Sequence, residues 1–413
     1  MPASDARPER AASVASRPPH SELIPAPAAQ PSYEVVTRQG RRVAAGDGPP
    51  QFTIHLTDGQ TVEWVVNSDA YQMAVAFVRG EFDVSGDLLA AIRWKMGAPG
   101  RGFAGWVRRV TARLASLGAQ RWFQTRRQAA RNIQYHYDAS NEFYELFLDS
   151  RLVYSCAYFK DPGWSIDQAQ AAKLEYICRK LDVQPGERFL DIGCGWGALI
   201  LHAAGEHGAI ATGCTLSRNQ FERAKQRILE NGLDARATVL LTDYRNLEGS
   251  YDKIASVGMF EHVGRKRLGE YFRKCYSLLS PGGLFLNHGV IRPQLVKETA
   301  ETVFWTRHVF PGAQTVHLAD VILEAEHAGF ELLDVENLRP HYALTCRAWV
   351  ERLRQNEVEC LRLVGREKYR SWLLLLAAAS FAFEDGQTDL CQALLAKRSH
   401  PSGRKMTRDH MRV

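Results

Sequence analysis

An α/β fold with a doubly wound, mostly parallel sheet is expected from residue 188 onward, and three observations predict it. Short apolar runs fit strands at 188–192, 209–215, 237–241, 254–257 and 284–288, with helical patterns between them. The first run passes directly into a glycine turn, FLDIGCGWG over 189–197, the strand–turn–helix arrangement that holds a small molecule. Pro281-Gly282-Gly283 marks a turn before the fifth strand. A small α+β domain precedes this sheet.

Taken in order, residues 1–32 are rich in Pro, Ala and Ser, with arginines but no apolar core, and read as a flexible tail rather than an export signal. The small domain is placed at 33–98. Alternation of Phe52, Ile54 and Leu56, then Val62 and Trp64, around Asp58-Gly59 predicts a hairpin. Asp69 opens a helix reaching Val78, and a second helix follows Gly86-Asp87. Residues 99–130 form a basic amphipathic linker: from Arg101 to Arg131 there are eight arginines and no acidic residue. Such a block favours an anionic partner, nucleic acid or lipid headgroups. Phe103, Trp106, Trp122 and Phe123 interleave with the arginines, which suits an interfacial helix on anionic headgroups and leaves no nucleic acid among the expected partners. The catalytic domain is placed at 131–395 and a basic tail at 396–413. Within it, the aromatic-rich segment Thr302 to Phe310 interrupts the strand pattern and should sit over the carboxyl ends of the strands.

The composition, 45% hydrophobic and 24% charged with a net charge of +6, is that of a soluble globular chain. Its eight cysteines are scattered without CxxC spacing, so the expectation is reduced thiols in a cytoplasmic protein and no metal. The longest apolar run, Trp372 to Phe383, has 12 residues, against the roughly 20 needed to span a bilayer. Membrane contact is therefore expected to be peripheral, at the inner face.

The glycines alone leave the bound molecule open. Gly193, Gly195 and Gly197 give GxGxG, and Gly193-Gly195-Ala198 also satisfies the looser dinucleotide fingerprint. A dinucleotide needs an acidic residue about 20 positions on, yet the second strand ends Gly213-Cys214-Thr215-Leu216-Ser217. Gln220 could bond a ribose instead. Asp191 before the first glycine suits a ligand ammonium group, and Asp243-Tyr244 after the third strand suits an adenine amine and ring face. The order favours S-adenosylmethionine (SAM).

The motifs RNIQYHYDASNEFY (131–144), RLVYSCAYF (151–159), FLDIGCGWG, GCTLSRNQ (213–220), DYRNL (243–247) and VGMFEHVG (257–264) together resemble the cyclopropane-fatty-acyl-phospholipid synthase family, over about residues 130 to 395. The N-terminal piece resembles the small lipid-binding-type domain of bacterial members. The resemblance implies a class I SAM-dependent methyltransferase fold of Rossmann-like type. It also implies transfer of a methylene group from SAM to the cis double bond of an unsaturated phospholipid acyl chain at the membrane surface, by a homodimer. An unactivated alkene is a poor nucleophile, so the sulfonium methyl must be held close and in line. The cation that follows requires a dry cavity, and one methyl proton must leave to close the ring.

In the family that proton goes to a bound bicarbonate, whose ligands the resemblance places on Cys156, Glu261, His288, Val290 and Tyr342. Val290 stands where isoleucine is usual. Glu261 would accept the bicarbonate OH while His288 and Tyr342 donate. For the cofactor, the resemblance adds Tyr154, Ser155, Thr215 and Leu216 to Asp191, Gly193, Gly195, Gly197, Gln220, Asp243 and Tyr244. His136 and Tyr137 either touch the cofactor or order the segment that closes over it. Two departures stand out: Ala377-Ala378-Ala379-Ser380 lacks a cysteine that members often carry, and Asn141-Glu142 replaces the usual Asn-Asp. Other outcomes are a SAM-dependent lipid C-methyltransferase, leaving a methyl branch or methylene group, and a non-catalytic lipid- or nucleic-acid-binding protein.

Overall fold

The computed structural model describes residues 31–57, 59–96, 140–293, 316–398 and 405–411. The N-terminal tail, the arginine-rich linker, His136, Tyr137 and the segment 302–310 lie outside the described residues.

The small domain carries a sheet of β1 (Tyr33–Val36), β2 (Arg42–Ala45), β3 (Phe52–Leu56) and β4 (Phe82–Gly86) in the order β2-β1-β3-β4. The predicted hairpin at Asp58-Gly59 does not form. β3 pairs in parallel with β1 and antiparallel with β4, and Val62 and Trp64 belong to helix α1 (Val62–Asn67). Thr61 decides this locally: its hydroxyl accepts from Trp64 N–H at 3.1 Å, a helix N-cap, and Val65 turns into the core. Two apolar residues at 62 and 64 are too short a pattern to separate period 2 from period 3.6. The other two helices agree with expectation. Helix α2 (Ala70–Arg79) starts at Asp69, which forms a reciprocal capping box with Gln72. Helix α3 (Leu88–Met96) starts at Asp87, whose carboxylate accepts from Leu89 and Ala90 N–H.

The second domain contains, in chain order, α4 (Asn141–Glu145), α5 (Ile166–Lys180), β5 (Arg188–Ile192), α6 (Ala198–Glu206), β6 (Ile210–Thr215), α7 (Arg218–Glu230), β7 (Ala237–Leu241), β8 (Tyr251–Val257), α8 (Leu268–Leu278) and β9 (Leu279–Ile291). Then come α9 (Leu318–His327), β10 (Phe330–Asn337), α10 (Arg339–Gln355), α11 (Glu357–Glu384, broken at Gly365) and β11 (Asp389–Lys397). The seven strands order as β10-β11-β9-β8-β5-β6-β7. β5 to β9 are mutually parallel, as the strand–helix alternation predicts, while β11 runs antiparallel between β9 and β10. The last two strands were not anticipated individually. Pro281-Gly282-Gly283 is not a turn ahead of the fifth strand but an irregularity within it: the pairing with β8 steps from Tyr251↔Leu279 to Lys253↔Leu284.

The strand order reverses at β5, with β6 and β7 on one side and β8 and β9 on the other. A crevice therefore opens at the carboxyl ends of β5 and β8, where such sheets bind ligands.

The two domains share one apolar core. Arg370 on α11 crosses the boundary, donating to the carbonyls of Phe77 and Phe82 at 2.9 Å each and to Asp83 Oδ2 at 2.7 Å. Among the described residues no helix is long and apolar enough to cross a membrane.

Candidate active site

At the end of β5 the chain reverses tightly, and Gly193 and Cys194 N–H both donate to the Cys214 carbonyl at 3.0 Å. Gly193 has φ +86°, and a Cβ there would lie 2.9 Å from Met259 Cγ. Gly195 has φ +53° and faces open space, with nothing within 4 Å of a built Cβ. A side chain at Gly193 would collide with protein, whereas one at Gly195 would enter the cavity. Gly197 ends the turn as the N-cap residue of α6.

One cavity is lined by Tyr154, Ser155, Asp191, Gly193, Gly195, Thr215, Leu216, Gln220, Asp243 and Tyr244. The sequence-derived cofactor set is thus brought together, apart from Gly197 just behind the turn and Tyr137 outside the described residues. Asp191 is buried, its Oδ1 without a partner among the described residues, and burial pushes its carboxyl up to about 7. Thr215 Oγ1 donates to Gln220 Oε1 at 2.8 Å, fixing the glutamine amide at the cavity wall. Asp243 is already engaged by Arg245, whose Nε lies 2.8 Å away and whose Nη2 also donates to it. The Tyr244 ring meets Tyr271 edge-on at 5.6 Å.

Lys173, Thr242, Arg245, His262 and Arg267 also line the cavity and escaped the sequence reading. Lys173 is buried, donates to Ser155 Oγ at 2.9 Å, and is lowered by burial to about 8 despite Asp149, Cys156 and Asp191 nearby. His262 is held near 4 by burial, so it is neutral. Arg245 sits beside Asp243. No local signal marked Lys173: it shares one buried stripe along α5 with Gln170, Ile177 and Lys180, and a stripe with three polar residues reads as a solvated face.

The second predicted set lies outside the lining of that cavity. Glu261, in the short helical turn Phe260–His262, accepts from Val290 N–H at 2.7 Å through Oε1. Val290 thus contributes its backbone, and its side-chain identity is immaterial to that contact. Glu261 Oε2 and His288 Nε2 are buried and have no partner among the described residues. Burial raises the Glu261 carboxyl to about 7, and burial with the Lys173 and Lys180 cations holds His288 neutral. Cys156 is fully buried, its thiol donating to the Ala157 carbonyl at 3.2 Å, and burial pushes it far up, so it stays protonated. Tyr342 packs on Phe383 with ring centroids 4.5 Å apart. Leu338 ties the last two together: its carbonyl lies 3.9 Å from Cys156 Sγ and accepts from Tyr342 N–H at 3.2 Å.

All eight cysteines are free and buried. Cys178, His202 and His207 bring their ligand atoms within 4.8 Å of one another. There, Glu175 Oε2 lies 3.1 and 3.0 Å from the two Nε2 atoms and Arg179 holds Oε1. The cluster is a hydrogen-bonded brace between α5 and α6.

A doubly wound sheet with this glycine turn, an acidic strand end and a deep cavity at the reversal of strand order defines a class I SAM-dependent methyltransferase. Residues 124–393 match the family described as Mycolic acid cyclopropane synthetase, and the chain belongs to that family. It is a SAM-dependent transferase. A probable fatty acid methyltransferase of Pseudomonas putida is 37% identical over 85% of this chain and 88% of its own. Cyclopropane mycolic acid synthase MmaA2 of Mycobacterium tuberculosis is 33% identical over 64% of this chain and 96% of its own. The solved structure of MmaA2 superposes with a TM-score of 0.63, covering 65% of this chain and 98% of that one. That of mycolic acid cyclopropane synthase CmaA1, complexed with SAH and CTAB, gives 0.62 at 32% identity.

Proposed function

We propose that the protein transfers a methylene group from SAM to the cis double bond of an unsaturated phospholipid acyl chain, with bicarbonate as the base. The observation that carries this reading is the pair of buried, unpartnered polar atoms, Glu261 Oε2 and His288 Nε2. Leaving such groups unpaired costs free energy, which a bound water or ligand recovers. A small oxyanion bearing one hydroxyl fits them: an imidazole N–H donates to its oxygen, and the carboxyl oxygen accepts its O–H. When bound, SAM supplies an electrophilic methyl group and bicarbonate supplies the acceptor for the departing proton. The chain's own part is to position and to exclude water. Phe143, Tyr144 and Phe147 are fully buried around Tyr154, Trp349 and Trp372, an aromatic wall that suits a reacting alkene and keeps a carbocation from water.

The reading includes a homodimer at the inner face of an anionic membrane, drawn there by the arginines and aromatics of residues 101–131. Supporting the methylene transfer are the relatives named as cyclopropane synthases. A second reading, methyl transfer that leaves a branched or methylene chain, is favoured by the Pseudomonas putida relative, whose match extends over most of both chains. Incubation with SAM and unsaturated phospholipid vesicles, followed by mass and NMR analysis of the acyl chains, tests both. Cyclopropane protons support the first reading, and a methyl branch replaces it with the second. Unmodified chains in an enzyme that binds SAM overturn the phospholipid assignment.

A further inference from the structure

The Nδ1 side of His288 is held by a buried polar network. Gln392 on β11 stands directly opposite His288 on β9 in the strand register, and its amide Nε2 lies 3.0 Å from His288 Nδ1. Behind it, Lys180 Nζ donates to Gln392 Oε1 at 2.8 Å and to Glu336, with Asp334 at 3.9 Å. Lys180 and Gln392 are each 1% exposed.

An ammonium group only donates, so the Gln392 atom facing Lys180 must be its oxygen. The atom facing His288 is then the NH2 group, which also only donates. Nδ1 must therefore accept, and a neutral imidazole that accepts at Nδ1 carries its proton at Nε2. Nε2 is the atom that is buried without a partner. We infer that Lys180 and Gln392 are positioning residues that fix the His288 tautomer, so that Nε2–H is a permanent donor to an oxyanion held against Glu261. This rests on the anion site proposed above.

The arrangement also denies His288 the role of proton acceptor on the cavity side. Its only ring-nitrogen lone pair is occupied by the Gln392 amide N–H, which donates a hydrogen bond but does not transfer its proton. A proton leaving the reacting carbon must go elsewhere, to the anion or to Glu261.

The test is Gln392→Glu. The carboxylate keeps the Lys180 contact, which protects the fold, but offers His288 an acceptor in place of a donor. The 15N NMR signals of His288 in the protein without SAM read the outcome directly. In the wild type Nδ1 should give the unprotonated signal and Nε2 the protonated one, and in Gln392→Glu Nδ1 should become protonated. Turnover should fall about tenfold to a hundredfold, the scale that outer partners of a liganding histidine carry, with SAM affinity unchanged. Gln392→Leu, which removes the donor without adding charge, should give a mixed tautomer and an intermediate loss. A wild-type His288 protonated at Nδ1 overturns the inference, as does a variant with switched Nδ1 and wild-type turnover. Wild-type activity indifferent to added bicarbonate would instead remove the base from the proposed function, a result the tautomer measurement does not share.

Discussion

Lys173 and Ser155 meet at 2.9 Å beneath the cofactor cavity, both side chains buried, so the floor of a site for a cationic ligand contains a lysine. Asp191 explains how this is tolerated. The lysine lowers the Asp191 carboxyl while burial raises it to about 7, leaving a carboxylate poised to ionise when an ammonium group arrives.

Lys173→Met should weaken SAM binding at pH 7, because the Asp191 carboxyl loses the cation that favours its charged form. A shift of one pKa unit corresponds to about a tenfold change. Calorimetry at pH 7 and pH 9 should show the deficit shrinking at the higher pH, where Asp191 ionises regardless. An equal deficit at both would place the lysine in packing alone.

In the wild type, SAM affinity should rise with pH up to about 7 and level off above it, because the ionised Asp191 is the form that pairs. Its folded-state value lies above the ordinary 3.8, so the protein without ligand loses stability from this group as pH rises from about 4 to about 7. Thermal melting should accordingly show a larger SAM-induced shift at pH 8 than at pH 6. Asp191→Asn should flatten both profiles.

Gly195→Val should abolish SAM binding in a folded protein. The new side chain enters the cavity rather than the protein, and φ +53° is a conformation a β-branched residue resists. Calorimetry on a variant with a native circular dichroism spectrum is the check, and unchanged affinity would remove the loop from the cofactor site.

Glu261→Gln should lower turnover by about 10² or more, the usual scale for positioning a general base, while leaving SAM affinity nearly intact. Wild-type activity should fall in buffer stripped of carbon dioxide and return with bicarbonate. Should the variant lose thermal stability in step with activity, Glu261 is a brace for Val290 instead.

Arg370→Met should separate the two domains energetically. It strips the guanidinium donors from the Phe77 and Phe82 carbonyls; Phe77 keeps its bond from Gly80 N–H, and each hydrogen bond lost from a charged donor costs about 1.5–3 kcal/mol. Scanning calorimetry should show a lower or split transition, with SAM affinity retained.

Strands β5 to β8 and the latter half of β9 were legible because each is a short apolar run between turn signals. β10 and β11 were not. FELLDVEN alternates charge as an exposed strand does but follows directly on a helix. DLCQALLAK is almost wholly buried yet rich in helix formers, and only its pairing with β9 makes it a strand. In the site, Asp191 and Asp243 were readable by their position at strand ends, and Glu261 and His288 through the family resemblance. Lys173, Lys180 and Gln392 were not, because lysines on a helix ordinarily mark its solvated face, and nothing local reveals that α5 turns two of them inward. Gln392 acquires its meaning only from the residue opposite it.

That opposite placement has a consequence for how the protein is made. Among the described residues β11 is the last strand, yet it lies inside the sheet, between two strands synthesised earlier. Until residues 389–397 have left the ribosome, β9 presents an open edge and β10 has no neighbour. The Gln392 contact to His288 is therefore among the last that the described strands can make, available only after those that carry the glycine turn and cofactor crevice have been synthesised.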